Sequence, residues 1–373
     1  MNELSFLEFF AGGGMARLGL GPDWRCAFAN DFDAAKGAAY AANFGAGDFH
    51  LADIHGLGIA DLPAGAADLA WASFPCQDLS LAGARAGLGA PRSGAFFGFR
   101  SIIGKLADAG RRPRSIVVEN VAGLLTSNGG RDLARLVGEI ARAGYYVSAI
   151  VLNARDFVPQ SRPRLFIVGL ENEGAFSRTA PAIDAAAPAA LHKMAAGLPA
   201  PVRRRWRWIS ARPAARRNLD LIDIIDDGAP FDAKSLTQAR VNAMAPRQRA
   251  ALDALIAAGG RHVGAAFRRV RVEGGRKIVR IEARFDGVAG CLRTPAGGSS
   301  RQIIFDIDDA KVRSRLMTPR EAARAMGLPD EYRLPQSATG ALKLIGDGVS
   351  PPVVAWLARN VLEPALLRVQ KAA

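Results

Sequence analysis

Short apolar runs separated by alanine- and glycine-rich stretches of helical length mark the first 170 residues. Leu4 to Phe10 and Arg25 to Ala29 read as buried strands, and Leu69 to Phe74, Ser115 to Val118, Tyr146 to Leu152 and Leu165 to Leu170 continue the series. Asp33 to Asn43 and Asp132 to Ala143 are the clearest intervening helices. Strands that alternate with helices predict a mostly parallel, doubly wound α/β sheet covered on both faces. Near Thr179 the pattern dissolves into an Ala/Pro-rich run over residues 180–201, a candidate boundary. After the turn at Ile345-Gly346-Asp347-Gly348, residues 353–369 resume a helical pattern that could pack back on the first domain. The expected organisation is therefore a domain over 1–179, a smaller, mainly β or irregular one over 180–300, and a returning C-terminal segment over 301–373.

Composition narrows the partners. The 373 residues are 49% apolar, enough for a full core, and carry a net charge of +14. Between residues 181 and 300 there are 21 Lys or Arg against 10 Asp or Glu, so most of the excess sits in one third of the chain. Arg203, Arg204, Arg205 and Arg207 interleave with Trp206 and Trp208, and Arg268, Arg269 and Arg271 form a second cluster. A solvated basic face is the bland explanation; the concentration of charge favours contact with phosphates. Apolar stretches break well before 18 residues, so no membrane span is expected. The N-terminus lacks a secretory pattern, and three cysteines (Cys26, Cys76, Cys291) make no disulfide framework. A soluble cytoplasmic protein, associated with the nucleoid and monomeric, is expected.

Candidate chemistry gathers after the apparent strands. Phe10-Ala11-Gly12-Gly13-Gly14 forms a glycine-rich strand-to-helix turn that permits close approach of a ligand, although such turns also serve ordinary packing. Asp31 follows Gly12 by 19 residues, where a carboxylate can meet a ribose. The spacing is not that of a pyrophosphate-binding fingerprint, so a nucleoside cofactor without phosphates fits better. Asp53 could accept from an adenine amino group with Ile54 against the ring, or be a simple turn residue. Ser73-Phe74-Pro75-Cys76-Gln77 places a cysteine past a strand end, where open α/β sheets bind ligands. A lone cysteine is otherwise a small buried hydrophobe, and at a pKa near about 8.5 it needs nearby cations to be a nucleophile. Residues 82–98 are glycine-rich and, with Arg85, Arg92 and the following Arg100, read as a loop able to close on a charged substrate. Glu119-Asn120-Val121 ends a strand with a carboxylate that could protonate a ring nitrogen. Arg162 and Arg164, two residues apart on extended chain, are expected to point toward one site. The four histidines show no metal-ligand spacing, and no metal site is expected.

In this order, Phe10 to Gly14, Pro75-Cys76-Gln77, Glu119-Asn120-Val121, Gln160-Ser161-Arg162-Pro163-Arg164, Arg320 to Arg324 and Gly346-Asp347-Gly348-Val349 resemble the DNA cytosine-5 methyltransferases. The resemblance spans both ends of the chain and omits mainly residues 175–290. It implies the S-adenosylmethionine-dependent methyltransferase fold and that cofactor. Phe10, Ala11, Gly12, Gly13 and Gly14 would lie along its methionine part, Asp31 would meet its ribose, and Phe32, Asp53 and Ile54 its adenine. Pro75, Asp347, Gly348 and Val349 would complete the pocket. Cys76 would attack carbon 6 of a flipped-out cytosine in duplex DNA, Glu119 would serve ring nitrogen 3, and Arg162 and Arg164 would hold the site, the latter on the base carbonyl oxygen. The region 180–300 corresponds to the target-recognition domain, with Arg92, Arg203, Arg205, Arg268, Arg269 and Arg293 as DNA contacts. Cys291 would be structural, and a cognate restriction endonuclease would act separately. Asp31 replaces a usual Glu, and Gly-Asp-Gly replaces a commoner Gly-Asn-Ser. A tRNA cytosine-5 methyltransferase and a catalytically silent DNA-binding protein are the alternatives.

Overall fold

The computed structural model describes residues 3–74, 94–213, 217–294 and 301–370. Seven strands form the first sheet: β1 (Leu4–Phe9), β2 (Trp24–Asp31), β3 (Phe49–Leu51), β4 (Leu69–Ala72), β5 (Ser115–Val121), β6 (Tyr146–Asn153) and β7 (Pro163–Leu170), in the order β3-β2-β1-β4-β5-β7-β6. The pairs from β3 to β5 are parallel, and β7 runs antiparallel to β5. The sheet is the mostly parallel, helix-covered one expected. Its central strands are mostly apolar because both faces are covered; β1 and β4 are buried over their whole length.

The first helices are α1 (Met15–Leu20), α2 (Ala34–Phe44), α3 (Ala95–Asp108) and α4 (Arg131–Arg142). Asp33 caps α2, its side chain accepting from the amides of Ala35 and Lys36. Helix α3 begins at Ala95, inside the stretch read as loop, because Phe96, Phe99, Ile102, Ile103 and Leu106 recur at helical spacing and bury into the core. Arg100 accordingly lies on this helix and pairs with Glu139. The same core takes in Phe9, Phe28, Trp206 and Trp208.

Contacts divide the chain into two compact units, residues 1–152, 163–214 and 353–373 in the first, and 153–162 and 215–352 in the second. Residues 180–214 thus go with the sheet rather than with the basic region after them. Val147 bridges to Trp206, Ser177 bridges to Trp208, and both indoles are buried, which pins the segment. Short helices α5 (Ala189–Ala196) and α6 (Ala200–Arg203) belong here too.

The second unit holds α7 (Lys234–Asn242), α8 (Pro246–Ala258) and an antiparallel sheet of β8 (Arg261–Glu273), β9 (Arg276–Arg284), β10 (Ile303–Asp308) and β11 (Lys311–Leu316), ordered β11-β10-β8-β9. It continues with α9 (Pro319–Met326) and α10 (Ala338–Asp347). Helix α11 (Pro351–Leu357) and α12 (Glu363–Gln370), joined by a π-helical turn, follow, and residues from 353 onward belong to the first unit.

Candidate active site

The strand order reverses at β1 and β4, the point where an open parallel sheet leaves a crevice at its carboxyl edge. β1 runs out into Phe10 at φ 58°, Gly12 at φ 56° and Gly14 at φ 77°, and the chain then enters α1. Gly14 admits nothing larger: a Cβ would come within 2.4 Å of the Phe44 ring. A Cβ on Gly12 would instead meet open space, so the backbone is bare on that side.

Asp31 closes β2 and is 4% exposed. Its Oδ2 accepts from the Gly12 amide at 2.9 Å and its Oδ1 from the Asp33 amide at 2.9 Å. This shorter acid therefore ties the glycine turn to β2, while each oxygen keeps a second lone-pair direction. The next residue, Phe32, is 66% exposed, an unusual position for an aromatic ring. Asp53 is exposed and caps the turn at Ile54–Gly56, whereas Ile54 is buried in the core.

Glu119, near the end of β5, is buried and lies 3.1 Å from Arg164 Nε of β7. Val121 faces Arg164 and Glu119 faces Phe166 across the pair, so the two charged groups are diagonal neighbours on one face. Because β7 is antiparallel, its first residues reach the same edge at which β1, β2, β4 and β5 end. Between them Asn120 is fully buried; its Nδ2 donates to the Phe74 carbonyl at 3.3 Å and its Oδ1 accepts from Val121. Asn120 thus fastens the end of the chain leaving β4 to β5, a role that sequence spacing does not reveal. Pro75, Cys76 and Arg92 lie outside the described residues.

Arg162 precedes the start of β7. It belongs to the second unit, is 2% exposed, and donates to the carbonyls of Leu292, Gly346 and Gly348. The expectation that both arginines point toward one site assumed a continuous strand; β7 begins only at Pro163. Asp347 is exposed at the end of α10 and accepts from the Thr294 hydroxyl, so this end is helical where the sequence suggested a turn. Gly348 and Val349 follow it in the second unit.

The basic residues also divide. Arg203 is exposed and Arg205 donates to the Gly144 carbonyl, both in the first unit. Arg268, Arg269 and Arg293 are in the second. Among the described residues no group of His, Cys, Asp and Glu could hold a metal ion, and no helix is long and apolar enough to cross a membrane.

The fold is of the methyltransferase type, shared with the solved methyltransferase structure described below. A model of the family described as C-5 cytosine-specific DNA methylase matches residues 4–363, and the chain belongs to that family; it is a DNA cytosine-5 methyltransferase. The chain is 27% identical to the type II methyltransferase M.NlaX of Neisseria lactamica over 95% of both chains. It is 26% identical to the type II methyltransferase M.HpaII of Haemophilus parainfluenzae over 97% of this chain and 90% of that one. Among solved structures it is similar in fold to the Dnmt2 methyltransferase of S. pombe, with a TM-score of 0.62, 17% identity, and 97% and 99% of the two chains covered.

Proposed function

We propose that the chain transfers a methyl group from S-adenosylmethionine to carbon 5 of a cytosine extruded from a specific duplex DNA sequence, with Cys76 as the nucleophile. The observation that carries this reading is the gathering of the candidate groups at one edge of four adjacent strands. The glycine turn follows β1, Asp31 ends β2, Phe74 follows β4, and Glu119 stands near the end of β5.

The residues fit a nucleoside cofactor. Bare backbone at Gly12, a buried carboxylate beside it and an exposed ring at Phe32 suit a methionine chain, a ribose and an adenine respectively. Ala11 and Gly13 complete the turn, and exposed Asp53 offers an acceptor; Pro75, Asp347, Gly348 and Val349 are assigned to the cofactor by the family resemblance alone. When bound, this cofactor supplies an electrophilic methyl group.

The chain's own residues do the rest. Cytosine carbon 5 is a poor nucleophile until a thiolate adds to carbon 6, which makes the ring an enamine. Glu119 faces ring nitrogen 3, passes a proton to it as the thiolate adds, and so stabilises the adduct. Arg164, paired with that carboxylate, is placed to meet the base carbonyl oxygen. After methylation, solvent water takes the carbon-5 proton, the carbon 5–carbon 6 double bond re-forms and the Cys76 thiolate leaves. Base extrusion costs a few kcal/mol of stacking and pairing. The basic hairpin and Arg293 in the second unit, with Arg92, Arg203 and Arg205, contact DNA.

An oligonucleotide carrying 5-fluorocytosine tests this. The fluorine blocks the last step, so the enzyme should form a permanent adduct through residue 76, and Cys76→Ala should abolish both the adduct and methyl transfer. Methyl transfer to tRNA and not to DNA would support the RNA enzyme, and transfer to neither a silent binder. A separately acting restriction endonuclease of the same specificity is the proposed partner in the cell, in keeping with the type II relatives. Bisulfite sequencing of DNA from expressing cells gives the recognition sequence, and the endonuclease should fail to cut DNA methylated there.

A further inference from the structure

We infer that Arg162 is a positioning residue: it caps the carboxyl end of α10 and thereby fixes the Gly346–Val349 segment, and it does not touch the substrate base. The inference rests on the methyltransferase reading only for the ligand that segment serves.

Arg162 is 2% exposed, and both terminal nitrogens donate to main-chain carbonyls. Nη1 donates to Leu292 O at 2.7 Å, and Nη2 donates to Gly346 O at 2.8 Å and Gly348 O at 2.7 Å. The last carbonyls of a helix lack intrahelical partners and carry its partial negative charge, so a cation placed there satisfies both needs. The arginine is itself held, its amide donating to Asn153 Oδ1 at 2.9 Å and its carbonyl accepting from Ala154 at 3.1 Å. Gln160, fully buried, completes the node: its Oε1 accepts from the Leu292 amide and its Nε2 donates to the Ala325 carbonyl. Both polar groups of Leu292 are thus fixed by two side chains from one short segment.

Gly346 packs against the residues next to Leu292, and a Cβ there would lie 2.4 Å from the Thr294 nitrogen. The Thr294 hydroxyl in turn donates to Asp347. The segments around 160, 292 and 346 are therefore stitched into one node in the second unit. A planar fork is needed to reach carbonyls on two segments at once, and a lysine ammonium cannot replace it.

The test uses the full chain with Arg162→Lys and, as a second route to the same displacement, Gly346→Ala. Hydrogen exchange is read at the amides of residues 345–349, with S-adenosylmethionine affinity by calorimetry and steady-state methyl transfer to duplex DNA beside it. Both variants should exchange faster in the segment and bind S-adenosylmethionine about 10- to 100-fold more weakly, the range of one or two lost charged contacts. At saturating cofactor, kcat should fall far less than KM rises. Unchanged exchange and affinity in Arg162→Lys would overturn the inference. So would an unchanged KM with kcat reduced 100-fold or more, since that pattern marks a group acting on the base. Should the wild-type chain itself fail to bind S-adenosylmethionine, the functional reading falls, and the exchange measurement alone still decides the role of Arg162.

Discussion

Glu8 shows how much a single buried acid can ask of its surroundings. It is 1% exposed on β1, one residue before the strand's end, and burial pushes its carboxyl up to about 8 against hydrogen bonds from the Ala16 and Arg17 amides. Its Oε2 finds no hydrogen bond among the described residues. The folded protein thus binds a proton that the unfolded chain has lost, so this group's contribution is fully present below about pH 4.5 and declines as pH rises toward about 8. Glu8→Gln keeps an acceptor for the amides and removes the charge. Thermal melts between pH 5 and 8 should decline less steeply with pH in the variant; an identical pH dependence would show that Glu8 is not the group responsible. Nothing in the local pattern Leu4 to Phe9 reveals this, because an acid inside an apolar strand gains its neighbours only when the sheet forms. The two arginines after Gln160 teach the same lesson. Their spacing is identical to that of a face-sharing pair, yet one enters a carbonyl cage and the other an ion pair.

At the scale of elements, capping and pairing explain a motif whose chemistry the sequence left open. Within Arg320 to Arg324, Glu321 is fully buried at the third position of α9; it accepts from the Thr318 amide while the Thr318 hydroxyl accepts from the Glu321 amide, a reciprocal capping box. The same carboxylate receives both terminal nitrogens of Arg315, at 2.6 and 2.7 Å, and the Asp226 amide at 2.8 Å. Burial opposes its ionised form, but hydrogen bonds from Arg315 and the Asp226 and Thr318 amides outweigh that and hold it below the usual carboxylate range. Arg315→Met should cost about 3–5 kcal/mol because it strands a buried charge, measurable by urea unfolding at pH 7. A loss below about 1 kcal/mol would mean the amides alone carry Glu321. The arginine on β11 that neutralises the glutamate was not legible in the sequence, since only folding brings the two together.

For the whole molecule, charge becomes meaningful once the strands are paired. β10 pairs with β8 only over 261–266, so residues 267–273 and 276–282 form a two-stranded ribbon extending on the order of 20 Å. One face carries Arg269 and Arg271, both paired with Glu282; the other carries Arg268 and Lys277 with exposed Val270, Val272 and Val279. A ribbon of this width fits a DNA major groove. Arg268→Ala should weaken DNA binding about equally for all sequences and lower the slope of log affinity against log salt by about one. A slope unchanged from wild type would remove Arg268 from the phosphate contacts.

By itself the sequence determined the alternation of strands and helices, the glycine turn, the order of the family's segments and the excess of positive charge. Each of these depends on neighbours along the chain, where apolar period, backbone freedom and composition act directly. The tertiary structure alone decided that residues 180–213 join the sheet through two buried tryptophans, that Asn120 fastens the end of β4, and that Arg162 binds main-chain carbonyls while Arg164 pairs with Glu119. Those outcomes depend on groups far apart in sequence, whose desolvation and pairing have no free energy until the chain has closed around them.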